Sequence, residues 1–81
     1  MAQDYLELVV DVVRPFVEPD LALTSETALE GHIDSMAMVQ ITLALESRLA
    51  RSFGPTDIQF DHFESIGSLA RQLSSIASSR Q

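Results

Sequence analysis

Gly31-His32-Ile33-Asp34-Ser35-Met36-Ala37-Met38-Val39-Gln40 is where this chain changes character, from a polar loop to a long apolar pattern. Asp and Ser both favour the first position of a helix, because their side-chain oxygens accept main-chain amides that have no partner in the first turn. The spacing predicts a helix that starts at Asp34 or Ser35 and runs to about Ser52. Phe53-Gly54-Pro55 then reads as a stop, with Gly54 available for a left-handed cap and Pro55 unable to continue the helix. Two stripes run along this helix, Met38-Ile41-Leu45-Leu49-Ser52 and Met36-Val39-Leu43-Ala50, so its first half is apolar nearly all round. Burying every side of a helix is hard in 81 residues. The second stripe, around Met36, Val39, Gln40 and Leu43, is therefore expected to face a partner.

On the N-terminal side, Leu6, Val9, Val10, Val13, Phe16 and Val17 follow helical spacing from about Asp4 to Val17. Asp4 and Glu7 in the first turn and Arg14 near the end suit the helix macrodipole. Pro15 lacks an N–H and disfavours helix at Arg14, so a kink or an end is expected there. Residues 18–34 form a long connection whose Leu21, Leu23, Ala28, Leu29 and Ile33 can pin it to a core; a loop of that length is often functional. On the C-terminal side, Ile58, Phe60 and Phe63 point to a short helix or 3₁₀ turn within Thr56–Phe63. Ser65 then caps a last helix, about Ile66 to Ser78, with Ile66, Leu69, Ala70, Leu73, Ile76 and Ala77 inward. Residues 78–81 are expected to fray. The fold class is all-α, a single domain built as a bundle of three longer helices and one short one.

Composition narrows the chemistry. Without cysteine there is no disulfide, thiol nucleophile or cysteine-based zinc site. The net charge of −7 repels a phosphate backbone, which argues against nucleic acid and favours basic partner surfaces. The charge is uneven: residues 1–34 hold eight acids against Arg14 alone, whereas residues 35–81 balance four acids with four arginines. No apolar run reaches membrane-spanning length and the N-terminus has no signal-peptide pattern, so a soluble, cytoplasmic monomer without membrane contact is expected.

Enzyme readings are weak. A nucleophilic serine needs a base and an oxyanion hole. His32 lies three residues from Ser35, but no acid is placed to orient it, and Asp34 and Met36 stand where a G-x-S-x-G elbow would have Gly. His32, Asp34 and His62 lack the spacing of a metal site. The three glycines are isolated, so phosphate-binding glycine loops are absent. What remains is a serine that receives a group: a phosphodiester on Ser35 would sit at a helix N-terminus, where amides and macrodipole favour it. Simple capping by Asp34 and Ser35 explains the same residues on spacing alone.

Nearly the whole chain, however, resembles the acyl carrier protein family. The acidic first helix, the long loop and Glu30-Gly31-His32-Ile33-Asp34-Ser35-Met36 match that pattern. So do Leu45-Glu46-Ser47-Arg48-Leu49, Phe53-Gly54-Pro55 and Phe63-Glu64-Ser65-Ile66-Gly67-Ser68-Leu69-Ala70. The resemblance implies that Ser35 carries 4′-phosphopantetheine, taken from coenzyme A by a Mg²⁺-dependent phosphopantetheinyl transferase that reads Asp34. The protein would then be a thioester carrier and no enzyme itself. Its partners would be the transferase, an acyl or aminoacyl ligase or adenylating enzyme, and an acyltransferase or synthase of the pathway. Two departures stand out: Met36 replaces the usual Leu, and the recognition helix carries Ala37, Gln40, Ser47 and Arg48 where fatty-acid carriers are acidic. The extra residue in Gly31-His32-Ile33-Asp34 is closer to discrete aminoacyl carriers. These features favour polyketide or nonribosomal peptide assembly over housekeeping fatty-acid synthesis. The alternative is a helical interaction module, never modified, that binds a partner through its second helix; a small hydrolase using Ser35 and His32 ranks well below both.

Overall fold

The computed structural model describes residues 2–54 and 57–79, and in order they form α1 (Ala2–Val13), a 3₁₀ turn (Arg14–Phe16), α2 (Ser35–Leu49), a second 3₁₀ turn (Phe60–Glu64) and α3 (Ile66–Ser79). Among the described residues there is no strand, only an isolated bridge between Glu30 and Ile33. The fold is thus helical, as expected, with one more 3₁₀ turn than the sequence suggested.

Each boundary has a local cause. The first α-helix stops at Val13 rather than Val17, because Pro15 occupies the start of the following 3₁₀ turn and can supply no amide to an α-helical ladder. Arg14 does not serve the helix C-terminus. Its Nη2 donates to the carbonyls of Glu18 and Leu21 at 2.7 and 2.9 Å, which folds the start of the long connection back on the helix end. Its Nε is buried without a hydrogen-bond partner.

The second helix also ends early, at Leu49 rather than Ser52. Ala50, not Gly54, takes the left-handed cap, with φ 55° and its amide on the Glu46 and Ser47 carbonyls. Arg51 N–H then donates to the Glu46 carbonyl at 3.1 Å, and the Glu46 carboxylate accepts the Phe53 amide at 2.6 Å. Hydrogen bonding to Glu46 therefore closes the helix where Gly54-Pro55 was expected to; Pro55 lies outside the described residues. Ser52 is exposed and non-helical. The last helix opens on Ser65, whose Oγ accepts the Ser68 amide at 3.0 Å, and it ends at Ser79, one residue beyond the expected Ser78.

The core is assembled by the three α-helices, the second 3₁₀ turn and the loop, while the first 3₁₀ turn contributes no buried residue. Val9, Val12 and Val13 of α1 meet Ile66, Leu69, Ala70 and Leu73 of α3, and this pair forms the most extensive helix contact. Ile41 and Leu45 are the buried residues of α2, and Phe63 comes from the second 3₁₀ turn. Val12 was not on the expected α1 stripe. The buried face is turned towards it, and Leu6, Val10, Phe16 and Val17 are only half-buried.

The long connection has no helix yet is firmly held. Leu29 is fully buried, Leu23 and Ile33 pack against the core, and Ala28, expected inward, is exposed. Thr27 Oγ1 donates to the Ala22 carbonyl and accepts the Thr24 amide, each at 2.9 Å. The Ile66 and Gly67 amides, among those an α-helix leaves unpaired at its start, donate to the carbonyls of Thr27 and Ser25 at 3.0 and 2.8 Å. The loop thereby completes the N-terminus of α3.

Candidate functional site

The approach to Ser35 begins at buried Leu29. Its carbonyl accepts the amides of His32 and Ile33 at 3.0 and 3.3 Å, so the chain reverses within four residues. Gly31 makes that reversal at φ 90°, a region that side chains disfavour. A Cβ there would meet nothing within 4 Å, so the requirement for glycine is conformational rather than spatial. Half-buried Ile33 then anchors the chain just before the helix.

Asp34 is extended (φ −101°, ψ −179°) and caps α2: its Oδ1 accepts the Ala37 amide at 2.8 Å and its carbonyl accepts the Met38 amide at 3.0 Å. Because Asp34 does the capping, Ser35 is the first residue inside the helix. It is exposed, and its hydroxyl has no hydrogen bond among the described residues. The amides of Ser35 and Met36 likewise have no intrahelical partner at this position. Capping thus accounts for Asp34 and leaves the Ser35 hydroxyl without a structural task.

Neither histidine serves that hydroxyl. His32 Nδ1 lies 3.4 Å from Glu18 Oε1 across the loop, in a partly exposed pair. A hydrogen bond from its own main-chain amide, and to a lesser degree His32, holds the Glu18 carboxyl below its ordinary value of 4.5. His62 Nδ1 accepts the Gln59 amide at 2.9 Å and fixes the second 3₁₀ turn. No group of three or more His, Cys, Asp or Glu side chains among the described residues could hold a metal ion. Among the described residues neither histidine is hydrogen-bonded to Ser35, and His32, Asp34 and His62 do not form a group that could hold a metal ion.

Two recesses flank the serine side of α2. One, of about 560 Å³, brings Ser35 together with Glu30, Met38, Phe60, Asp61 and Glu64. The other, of about 250 Å³, lies further along α2 and is bordered by Val39, Leu43, Phe53, Ile58 and Phe60. Met38, Phe60 and Phe63 belong to both, so the recesses run into one groove between α2 and the second 3₁₀ turn. The second apolar stripe of α2 is on the surface: Met36 is 64% exposed, Val39 51% and Leu43 58%, with Gln40 exposed beside them. Sequence reasoning missed Phe60, which is 65% exposed while Phe63 is buried, because both fit an apolar pattern equally well. It also gave no role to Asp61 and Glu64, whose place beside Ser35 depends on how the segment after α2 folds back.

Compared with known families and with curated proteins, the chain matches no family model and no curated sequence. Among the described residues, no helix is long and apolar enough to cross a membrane.

Proposed function

We propose that this protein is an acyl or aminoacyl carrier that holds its cargo as a thioester on 4′-phosphopantetheine attached to Ser35. The observation that carries the reading is the division of labour at the head of α2. Asp34 supplies the cap, and the neighbouring hydroxyl is exposed and without a hydrogen bond among the described residues. The surroundings suit a phosphodiester at that atom, since the first amides of a fifteen-residue helix point towards it. Ser35 Oγ would attack the phosphorus that bears the pantetheine arm. The diphosphate bond of coenzyme A breaks, its nucleotide half leaves, and the serine proton passes to a base on the transferase. The attached group supplies a terminal thiol for the thioester; this chain supplies the attachment atom, the cap and a fixed platform. The resemblance of the sequence to carriers with a D-S helix start supports the same reading, as does its closeness to discrete aminoacyl carriers of polyketide or nonribosomal peptide assembly.

Incubating the apo-protein with coenzyme A, Mg²⁺ and a broad-specificity phosphopantetheinyl transferase, then recording the intact mass, tests it. The expected result is a gain of one phosphopantetheine on the wild type and none on Ser35→Ala. No gain, or an equal gain in the variant, rules the reading out.

The exposed Met36, Val39 and Leu43 support a second reading, an unmodified interaction module. Under it Ser35→Ala leaves function intact and Val39→Asp abolishes partner binding. A carrier loses function with either change.

A further inference from the structure

We propose that the groove between α2 and the second 3₁₀ turn receives an apolar side chain of a partner protein flanked by Arg or Lys, with Phe60 as its anchor and Asp61 and Glu64 as its charged edge. The inference rests on the carrier reading for its purpose but not for its geometry. Phe60, the most exposed large apolar side chain among the described residues, borders both halves of the groove. Aromatic residues at the centre of a recess are typical anchors of protein interfaces.

Charge identifies the occupant. The groove is bordered by Glu30, Glu46, Asp61 and Glu64 and by no basic residue. The described arginines are held elsewhere. Arg14 is tied to the loop carbonyls of Glu18 and Leu21. Arg48 is bound to Asp11 of α1 at 2.7 Å. Arg51 borders a separate recess with Tyr5 and Ile76, and Arg71 reaches the vicinity of Gly67. An apolar floor with an uncompensated acidic edge fits an apolar insert with basic flanks. A second copy of this chain would bring the same acids against its own, and an anionic lipid surface would be repelled. Along α2 itself Ala37, Gln40 and Ser47 contribute no charge and the Glu46 carboxylate is engaged by the Phe53 amide, so Asp61 and Glu64 of the 3₁₀ turn supply the main electrostatic part of docking.

The test uses the full chain in its unmodified form and a synthetic amphipathic helix of leucine and lysine, with a leucine–glutamate helix as control. Amide chemical shifts map the contact, and titration gives the affinity. The expected outcome is saturable binding of the lysine peptide, with shifts at Val39, Leu43, Phe60, Asp61 and Glu64, weakened by salt. Phe60→Ser weakens it about tenfold, and so does the Asp61→Asn/Glu64→Gln double variant. Ser35→Ala binds as the wild type, which keeps this result separate from the mass measurement. Shifts centred on Glu7 and Asp11 of α1, equal binding of the glutamate peptide, or wild-type affinity in Phe60→Ser would overturn the proposal. So would concentration-dependent dimerisation through the groove, or binding to phosphatidylglycerol vesicles that Phe60→Ser abolishes.

Discussion

Gly67 donates its amide to the Ser25 carbonyl at 2.8 Å, and a Cβ on Gly67 would lie 2.7 Å from that same oxygen. The hydrogen bond and the missing side chain are one feature: only a bare α-carbon lets the helix start approach the loop backbone that closely. Because the obstacle is main chain, a larger residue must push the loop away. Gly67→Ala is expected to lower stability by about 2 kcal/mol, read as a fall in the thermal midpoint of roughly 10 °C. An unchanged midpoint would mean that the loop is not fastened there.

The observed cap at Asp34 and its proposed recognition by a transferase can be tested separately. Asp34→Asn keeps an oxygen that can accept the Ala37 amide, so stability should stay within about 0.5 kcal/mol. Asp34→Ala removes the acceptor and should cost about 1 kcal/mol. If the transferase reads the carboxylate, both variants lose modification at Ser35, whereas only Asp34→Ala lowers the thermal midpoint.

Position decides the outcome of substitutions within α2. Leu45 is fully buried, and Leu45→Ala should cost about 3 kcal/mol through the cavity it leaves. Val39 is half in solvent, so Val39→Asp should change stability by no more than about 0.5 kcal/mol. Its effect should appear as lost partner recognition, with the circular dichroism spectrum retained.

Acid should loosen the loop through Glu18. Its carboxyl is held below the ordinary value, so the ionised form stabilises the fold above the unfolded-state pKa. That contribution disappears as the pH falls through the lower, folded-state value. Following the Glu18 carboxyl by NMR should give a midpoint below 4.5. His32→Ala should raise it only slightly, because the main-chain hydrogen bond is the larger cause. Protection of the amides of residues 18–29, measured relative to their intrinsic exchange rates, should fall below that midpoint in the wild type, and this fall should be absent in Glu18→Gln.

The helices were readable because periodicity and caps agree: Asp34, Ser65 and Pro15 each act where their chemistry places them. Ala50 was not readable. Gly54 is the residue suited to a left-handed cap, yet the carbonyls of Glu46 and Ser47 capture the chain four residues earlier and hold alanine in that conformation. The exposure of Met36, Val39 and Leu43 followed from there being too little chain to cover them. The groove beside them did not follow, since Phe60 and Phe63 differ only in which way a short turn is rotated. His32 and His62 looked available as ligands or bases, and both have structural hydrogen-bonding or ionic partners that no spacing rule reveals.

The fastening of residues 18–34 bears on how far anything attached to Ser35 can travel. Arg14, Thr27, the Ser25 and Thr27 carbonyls and Leu29 leave that stretch no slack, and α2 departs from it in a fixed direction. If Ser35 carries the proposed tether, the fastened polypeptide adds little to the search volume of the group at its end. Its effective concentration at a neighbouring enzyme is set by the length of the tether and by where the whole domain is parked.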